Sequence, residues 1–288
     1  MPDAMPTDFI PNLPSDFSHL PRLAEMMTRR RTAVLTGAGC STASGIPDYR
    51  GPQTSQKDRS PILYQTFVKS AEARRRYWAR SAIGWPRIDR VTPNTSHRAL
   101  ASLEERGFLS GLITQNVDRL HHRAGHHRVV ELHGALAEVL CLDCGATVDR
   151  NVIQRRIRSL NPGWTDHVAD IAPDGDVEIP DIPSSFAVPT CSRCDGLLKP
   201  RVVFFGENVA PPTLERAWRV LDDAQMLLVV GSSLTVYSGY RFVKKANQHN
   251  KPVAILNLGP TRADEDADLS ISAQAGPALQ RLLERLPP

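Results

Sequence analysis

The sequence predicts an α/β fold, a doubly wound parallel sheet with a second, smaller lobe inserted into it. Three observations carry that expectation. Four short apolar runs, Thr32 to Thr36, Phe108 to Thr114, Met226 to Val230 and Val253 to Asn257, each run out into glycine or a small polar residue, as buried strands do. Helical patterns alternate with them: Ser96 to Arg106 stopped by Gly107, Pro212 to Asp222, and Gly239 to His249 ahead of Pro252. Two stretches break the alternation: Gln53 to Arg90, polar and Arg-rich around a short helix, and Ala135 to Pro200, which holds four cysteines and many Pro and Asp.

Taken in order, the elements support one another. A short helix is expected around Leu20 to Arg30, ahead of the first strand. Strands apolar on both faces require helices above and below, which is the parallel, doubly wound arrangement. Val129 to Leu132 and Val202 to Phe205 are shorter strand candidates. The expected division is an N-terminal segment over 1–31, a sheet domain over 32–56, 92–134 and 201–288, a loop and helical insertion over 57–91, and a small lobe over 135–200. Ligands of such sheets bind outside the strand C-terminal ends.

Composition narrows the function classes. At 288 residues, 41% hydrophobic and 23% charged, the chain is long enough for one large core, or one large and one small. Its longest apolar stretches are a few residues, well below the roughly 18–20 of a spanning helix, so no membrane role is expected. A net charge of +4 permits an acidic ligand but is mild for a dedicated nucleic-acid binder. The opening MPDAMPTDFIPNLPSDF lacks the pattern of a targeting segment, so a cytoplasmic setting is expected. There, paired cysteines are more often metal ligands than disulfides.

The first strand runs into Gly37-Ala38-Gly39-Cys40-Ser41-Thr42-Ala43-Ser44-Gly45. Small residues let backbone amides approach an anion, and a helix N-terminus behind them would add partial positive charge, which suits a pyrophosphate. The third glycine is displaced from the G-x-G-x-x-G spacing, and no acidic residue closes the second strand. A tight strand-to-helix turn therefore stands beside the dinucleotide reading. Cys40 is expected to pack as a small residue in this loop, with oxidative sensitivity as a second possibility.

Cys141-Leu142-Asp143-Cys144 and Cys191-Ser192-Arg193-Cys194 are two C-x-x-C knuckles, separated by the 46 residues 145–190. Four thiolates make a closed tetrahedral zinc site with no position for a reactive water, so the metal would be structural. Redox or unrelated thiols are the alternative. The spacer carries Asp166, Asp170, Asp174, Asp176, Glu178 and Asp181, which would repel phosphates and argues against a nucleic-acid zinc ribbon. Among nine histidines, His121, His122, His126 and His127 sit beside arginines and read as solvated or capping residues. His133 follows an apolar strand and precedes Gly134, which places it at a sheet's C-terminal edge. An imidazole with an ordinary pKa near about 6.5 suits proton removal there.

The loop continues as Ile46-Pro47-Asp48-Tyr49-Arg50-Gly51, and this stretch resembles the sirtuin family. Thr114-Gln115-Asn116-Val117-Asp118 with Leu120-His121, Glu131-Leu132-His133-Gly134, Lys199-Pro200, Val203-Phe204-Phe205-Gly206-Glu207, Gly231-Ser232-Ser233-Leu234 and Asn257 are similar to sirtuin motifs in the family's order. The likeness covers essentially the whole chain after residue 30. Tyr77 to Arg80, Ala172 to Val177, Val236 to Phe242 and Leu258 to Arg262 resemble its class II branch, the mitochondrial and bacterial lipoamidase-type group. The resemblance implies a Rossmann-like NAD-binding domain with a zinc-binding lobe, and NAD as a consumed co-substrate.

It further implies a scheme. The carbonyl oxygen of an acylated lysine attacks the ribose carbon as nicotinamide leaves, giving an alkylimidate, and free lysine and acyl-ADP-ribose follow. In that scheme Ala43, Ile46, Asp48, Asn116, Val117 and Asp118 hold the carboxamide, with Asn116 and Asp118 aiding catalysis, and His133 is the base. Gly37, Ala38, Gly39 and Arg50 face the phosphates, Tyr49 shields the reactive ribose, and Ser232 and Asn257 meet the adenosine half. Gln115, Gly231, Ser233, Leu258, Gly259 and Ala275 complete the cofactor set. The acylated protein substrate lies extended between Gly206-Glu207-Asn208, beside Phe205, and Val236-Tyr237, with the Val203 carbonyl accepting from the acyl amide.

Acyl preference and rival activities divide the remaining expectations. Lys69 to Arg90 carries seven basic residues against Glu72 and Asp89, the pattern of a solvated helix face. Within it Tyr77 and Arg80, at i and i+3, resemble the pair with which desuccinylating sirtuins grip an acidic acyl chain. Arg201, where many relatives carry an acidic residue or Asn, should alter charge at the substrate mouth. A mono-ADP-ribosyltransferase or lipoamidase would use the same NAD site, while an NAD-sensing scaffold and a hydride-transferring dehydrogenase are more distant rivals.

Overall fold

The fold grows from helices with one apolar face and strands with none exposed. The computed structural model describes residues 15–48, 62–166, 177, 179 and 181–288. Helix α1 (Leu20–Thr28) buries Leu20, Leu23, Ala24 and Met27, the i, i+3, i+4, i+7 stripe of an amphipathic helix. Strand β1 (Thr32–Thr36) is buried at every position. Two single 3₁₀ turns, Ala38–Cys40 and Thr42–Ser44, follow it. The α-helix expected directly behind the glycine loop is thus not formed within 37–48.

Helices α2 (Tyr64–Lys69) and α3 (Ala71–Arg90) come next, and Ser70 caps the second by accepting from the Ala73 amide at 3.1 Å. Asn94 opens α4 (Thr95–Glu105), accepting from the amides of Ser96 and His97. β2 (Leu109–Thr114), α5 (Leu120–Arg123) and β3 (Val129–Glu131) lead into the small lobe. That lobe holds β4 (Gly134–Cys141), β5 (Thr147–Asp149), α6 (Arg150–Leu160) and β6 (Leu198–Val202). The chain returns through α7 (Pro211–Asp222), β7 (Met226–Val230), α8 (Tyr237–Gln248), β8 (Val253–Asn257), β9 (Leu269–Ser272) and α9 (Ala275–Leu283).

The large sheet has the order β3-β2-β1-β7-β8-β9 with every pairing parallel. Strand order reverses between β1 and β7, so their C-terminal ends splay the following loops apart and leave a crevice there. The two loops also press together beneath it. A Cβ on Gly37 would lie 2.7 Å from the Ser232 Cβ, and one on Gly231 (φ +60°) 2.5 Å from the Cys40 amide nitrogen. These glycines let the β1 and β7 loops pack backbone to backbone, a role beyond the anion approach expected of Gly37.

The small lobe is a three-stranded antiparallel sheet, β5-β4-β6, and its core is shared with α2 and α3. Phe67, Trp78 and Ile88 pack with Val139, Ile153, Ile157 and Leu198. Both interrupting stretches of the sequence therefore build one body. Arg150 is fully buried between Trp78 and Trp85, at 5.3 and 5.5 Å from the rings, and donates to Gln154 at 2.8 Å and to the Ser81 carbonyl. Burial pulls its guanidinium down to about 10, and the flanking indoles and carbonyls keep it a charged pin between α3 and α6. No helix among the described residues is long and apolar enough to cross a membrane.

Two expectations are corrected. The strand placed at Val202 to Phe205 runs instead over Leu198–Val202, with Pro200 tolerated because β6 lies at an edge of the small sheet. The histidines in and just after α5 divide: His122 and His127 are exposed, whereas His121 and His126 are buried at 1% and 4% exposure. Each buried histidine is followed by an exposed one in a polar stretch, which hid the inward-facing pair.

Candidate active site

The cleft between the large sheet's C-terminal edge and the small lobe has a volume of about 1580 Å³. Its walls bring together residues spread over most of the chain. From the β1 loop come Gly37, Ala38, Gly39, Ala43, Ile46 and Asp48; from the end of β2, Gln115, Asn116, Val117 and Asp118. The β7 and β8 loops add Gly231, Ser232, Ser233, Asn257, Leu258 and Gly259, and α9 adds Ala275. His133, Val203, Phe205, Gly206, Glu207, Val236, Tyr237 and Tyr77 also face it. Tyr49 and Arg50 lie outside the described residues. Arg80 is not part of the wall; its Nε–H donates to the Val177 carbonyl. The first turns of α4 and α9, from Asn94 and Gln274 onward, border the cleft and supply the positive helix ends that the β1 loop itself lacks.

His133 stands at the end of β3, just before β4. Gly134 has φ +77°, and a Cβ there would sit 2.0 Å from the Arg201 carbonyl oxygen, so only glycine allows β6 to cross at this point. The crossing fixes the histidine, because its carbonyl accepts from the Val203 amide at 2.8 Å. Its ring is held at both ends. Nδ1 is 3.0 Å from the Gln115 carbonyl, which can only accept, so Nδ1 carries the proton and Nε2 carries the lone pair. Nε2 is 2.8 Å from the Ser238 hydroxyl, which donates to it. Burial holds the imidazole below its ordinary value, helped by the Arg241 cation and opposed by the Gln115 carbonyl. A neutral base with Nε2 in the cleft is the result.

Beside it Ser41 organises the loop. Its hydroxyl donates to Asp118 Oδ2 at 2.6 Å and accepts from Asn116 Nδ2 at 3.0 Å. Asn116 Nδ2 also donates to the Gly37 carbonyl at 3.0 Å, which commits both amide protons and leaves Oδ1 as an acceptor for a ligand. Asp118 Oδ1 accepts from the Leu120 amide at 2.9 Å, and burial raises its carboxyl above the usual range. The sequence assigns no role to Ser41 or Ser238, since a serine reveals no partner until two distant segments meet.

The substrate side is braced from behind. Glu207 turns inward to Lys199 at 2.9 Å and accepts from the Phe204 amide at 2.9 Å, leaving Phe205 and Tyr237 exposed at the cleft mouth, at 38% and 52%. Arg201 pairs with Glu138 at 2.5 Å, and Arg119 joins the same carboxylate at 2.6 Å and Glu131 at 3.3 Å, tying the lobe to the sheet domain. At the lobe's far end Cys141 Sγ lies 3.6 Å from Cys194 and Cys144 Sγ 3.8 Å from Cys191, with all four sulfurs within 4.8 Å of one another. Four thiolates about 2.3 Å from a tetrahedral zinc would be about 3.8 Å apart, which the Cys141–Cys194 and Cys144–Cys191 pairs match, so the donor set fits that ion. The Arg193 amide donates to Cys191 and holds its thiol down, at about 7.

Behind the β1 loop His97, His121 and His126 are buried and held neutral. Burial drives His97 down to about 3 and His121 and His126 below their ordinary values. Between pH 6.5 and those folded values the unfolded chain binds more protons, so stability must fall as pH falls. His97 alone contributes a slope of roughly 1.4 kcal/mol per pH unit in that window, and its two neighbours add to it. Urea unfolding at pH 7.5, 6.5 and 5.5 checks this. Stability should drop below pH 6.5, and less steeply in His97→Gln; a flat profile would refute the neutral cluster.

The fold and site together define a doubly wound α/β protein with a four-cysteine lobe and a buried histidine on the wall of the cleft between them. The Sir2 family model matches residues 37–238, and the chain belongs to that family. It is 47% identical over 277 residues to the human NAD-dependent protein lipoamidase sirtuin-4, mitochondrial, covering 94% of this chain and 88% of that protein. It is 50% identical over 251 residues to an NAD-dependent protein deacetylase of Xanthomonas axonopodis pv. citri, covering 87% and 86%. Among solved structures, a Sir2, p53 peptide and NAD+ complex aligns with a TM-score of 0.74 at 31% identity, covering 91% of this chain and 96% of that one.

Proposed function

We propose that this protein is an NAD-dependent protein lysine deacylase of the deacetylase type, which releases nicotinamide and passes the acyl group to ADP-ribose. The observation that carries the reading is His133: a neutral imidazole with its Nε2 lone pair directed into the cleft, beside the Asn116 and Asp118 pair, in a chain whose relatives are named for NAD-dependent deacylation. The glycosidic bond of NAD breaks as the acyl oxygen of lysine bonds to the ribose carbon. A ribose hydroxyl then takes the position of the Ser238 hydroxyl and gives its proton to His133 Nε2. Asn116 Oδ1 and Asp118 accept from the carboxamide or ribose hydroxyls, and the cleft excludes water from the weak amide nucleophile. An extended peptide lying between Gly206 and Val236 would be covered by Phe205 and Tyr237.

The small lobe's ion is zinc, held by Cys141, Cys144, Cys191 and Cys194. With all four positions filled by thiolate, its contribution is structural. A reducing compartment such as the cytoplasm suits those ligands, while the bovine and human relatives are named mitochondrial.

A panel of acetyl-, succinyl-, glutaryl- and lipoyl-lysine peptides, assayed for NAD-dependent nicotinamide release, tests the reaction and ranks the acyl groups. With labelled NAD, free acyl-ADP-ribose supports deacylation, whereas stable label on protein supports mono-ADP-ribosyl transfer. The same panel tests Tyr77 and Arg80. Tyr77 stands on the cleft wall among Phe67, Trp78 and Phe204, while Arg80 donates to Val177. That contact predicts that Arg80→Met lowers activity on acetyl and dicarboxylic peptides equally. A loss confined to succinyl and glutaryl peptides would restore the paired grip on an acidic chain.

A further inference from the structure

Between Gly39 and Ser41, which line the cleft, Cys40 does not reach it and is fully buried. It meets His97 from α4 and His121 from α5. One potential donor atom from each of the three lies within 4.8 Å of the other two. The two imidazole rings are 4.7 Å apart, centroid to centroid. Neither ring spends all its nitrogens on the protein. His97 turns Nδ1 to its own helix cap, 3.0 Å from Asn94 Oδ1 and 3.3 Å from the Asn94 amide nitrogen; the tautomer with the proton on Nδ1 donates to that oxygen and leaves the Nε2 lone pair, only within 3.5 Å of the Ser41 hydroxyl, for a cation. His121 gives Nε2 to the Thr36 hydroxyl at 2.9 Å, and its Nδ1, fully buried, has no hydrogen-bond partner among the described residues.

A buried, unpartnered ring nitrogen beside a thiol and a second loosely held imidazole is costly as packing and well suited as a ligand set. We propose that Cys40, His97 and His121 form a second metal site, distinct from the four-cysteine knuckle, which takes a d¹⁰ cation of borderline softness such as Zn²⁺. One sulfur and two imidazole nitrogens are donors such an ion prefers. Around a four-coordinate zinc, bonds of about 2.3 Å to sulfur and 2.0–2.1 Å to nitrogen would set these donors about 3.3–3.6 Å apart, so from separations within 4.8 Å the side chains would close by at most about 1.5 Å. Binding releases the thiol proton to solvent. Three protein ligands would leave one position of a four-coordinate ion open.

The consequence is regulatory. Cys40 carries the turn whose next residue, Ser41, holds both Asn116 and Asp118. An ion that draws the Cys40 sulfur toward α4 and α5 moves this turn and with it the cofactor contacts. Zinc bound here should therefore oppose the use of NAD.

Full-length protein is titrated with Zn²⁺ against a chromophoric chelator, and total bound metal, the knuckle ion included, is counted by mass spectrometry. The wild type should take two equivalents, and Cys40→Ala and His121→Ala one each. Uptake of a single equivalent by the wild type, or of equal amounts by wild type and Cys40→Ala, overturns the proposal. Should the variants fold poorly, Co²⁺ in the wild type decides: the second equivalent must add a thiolate charge-transfer band, and a second equivalent without one overturns the site. Nicotinamide release, with each protein compared with its own rate when the knuckle alone is filled, should fall at least tenfold with the second equivalent in the wild type and stay within twofold in Cys40→Ala under the same excess of Zn²⁺. Stoichiometry is read without any activity, so failure of this site and failure of the deacylase reading are separable.

Discussion

His133→Ala should lower kcat/KM for nicotinamide-coupled deacylation by about 10²–10⁴-fold, the span that a positioned general base contributes. Two hydrogen bonds fix the ring so that Nε2, and not Nδ1, is the basic atom. Deleting the ring removes proton acceptance at that one place. The fold should survive, because the crossing that shapes this corner depends on the backbone: the His133 carbonyl to the Val203 amide, and Gly134 beneath Arg201. Binding of NAD, followed by fluorescence or calorimetry, should change little, since the residues proposed for the phosphates and adenosine lie on the β1, β7 and β8 loops of the cleft. Ser238→Ala separates base from partner. The Ser238 hydroxyl stabilises the neutral ring, so its loss should move the acid limb of the rate profile upward while the rate on the plateau stays within tenfold. Equal rates for wild type and His133→Ala over the acyl panel would remove His133 as the base.

How much of this was legible in the sequence depends on what each residue had to meet. Strands β1, β2, β7 and β8 declared themselves because a strand covered on both faces must be apolar along its length, as each of them is. β9 and α9 did not: Leu269–Ser272 is half exposed, and α9 opens with Ala-Gly-Pro, the composition of a turn. The four cysteines were readable because metal geometry imposes local spacing. The partners of His133 were not, since Gln115 offers only its carbonyl and Ser238 approaches from α8, more than one hundred residues away along the chain. Cys40 reads as one more small residue in the loop, and it becomes a ligand candidate only when α4 and α5 set His97 and His121 against it. Arg80 shows the converse. Helical spacing places it one turn from Tyr77, but the lobe packed against α3 supplies a carbonyl that takes its guanidinium.

Stripping the knuckle of metal, or replacing Cys141 or Cys191 with alanine, should abolish activity and melt the small lobe while the large sheet persists. Structural zinc sites in small domains hold about 10–16 kcal/mol of apparent binding free energy, comparable with the whole stability of a typical domain, about 5–15 kcal/mol. Here the ion would join the end of β4, at Cys141 and Cys144, to the segment leading into β6, at Cys191 and Cys194, and so close the long excursion through β5 and α6. Without it the four sulfurs, Cys141 and Cys191 buried and Cys144 and Cys194 exposed, have no ion to join them, and β4 loses its hold on β6. The effect reaches the cleft because β4 begins at Gly134 and β6 ends at Val202, directly against His133 and Val203. Far-ultraviolet circular dichroism should then show partial loss of structure, and tryptophan fluorescence should shift as Trp78, Trp85 and Trp164, all in the lobe core, become exposed. Trp218, on the sheet domain, should stay in place beside Phe242. Returning zinc to the stripped wild type should restore both signals and activity; full activity in the metal-free protein would show that the lobe stands without its knuckle.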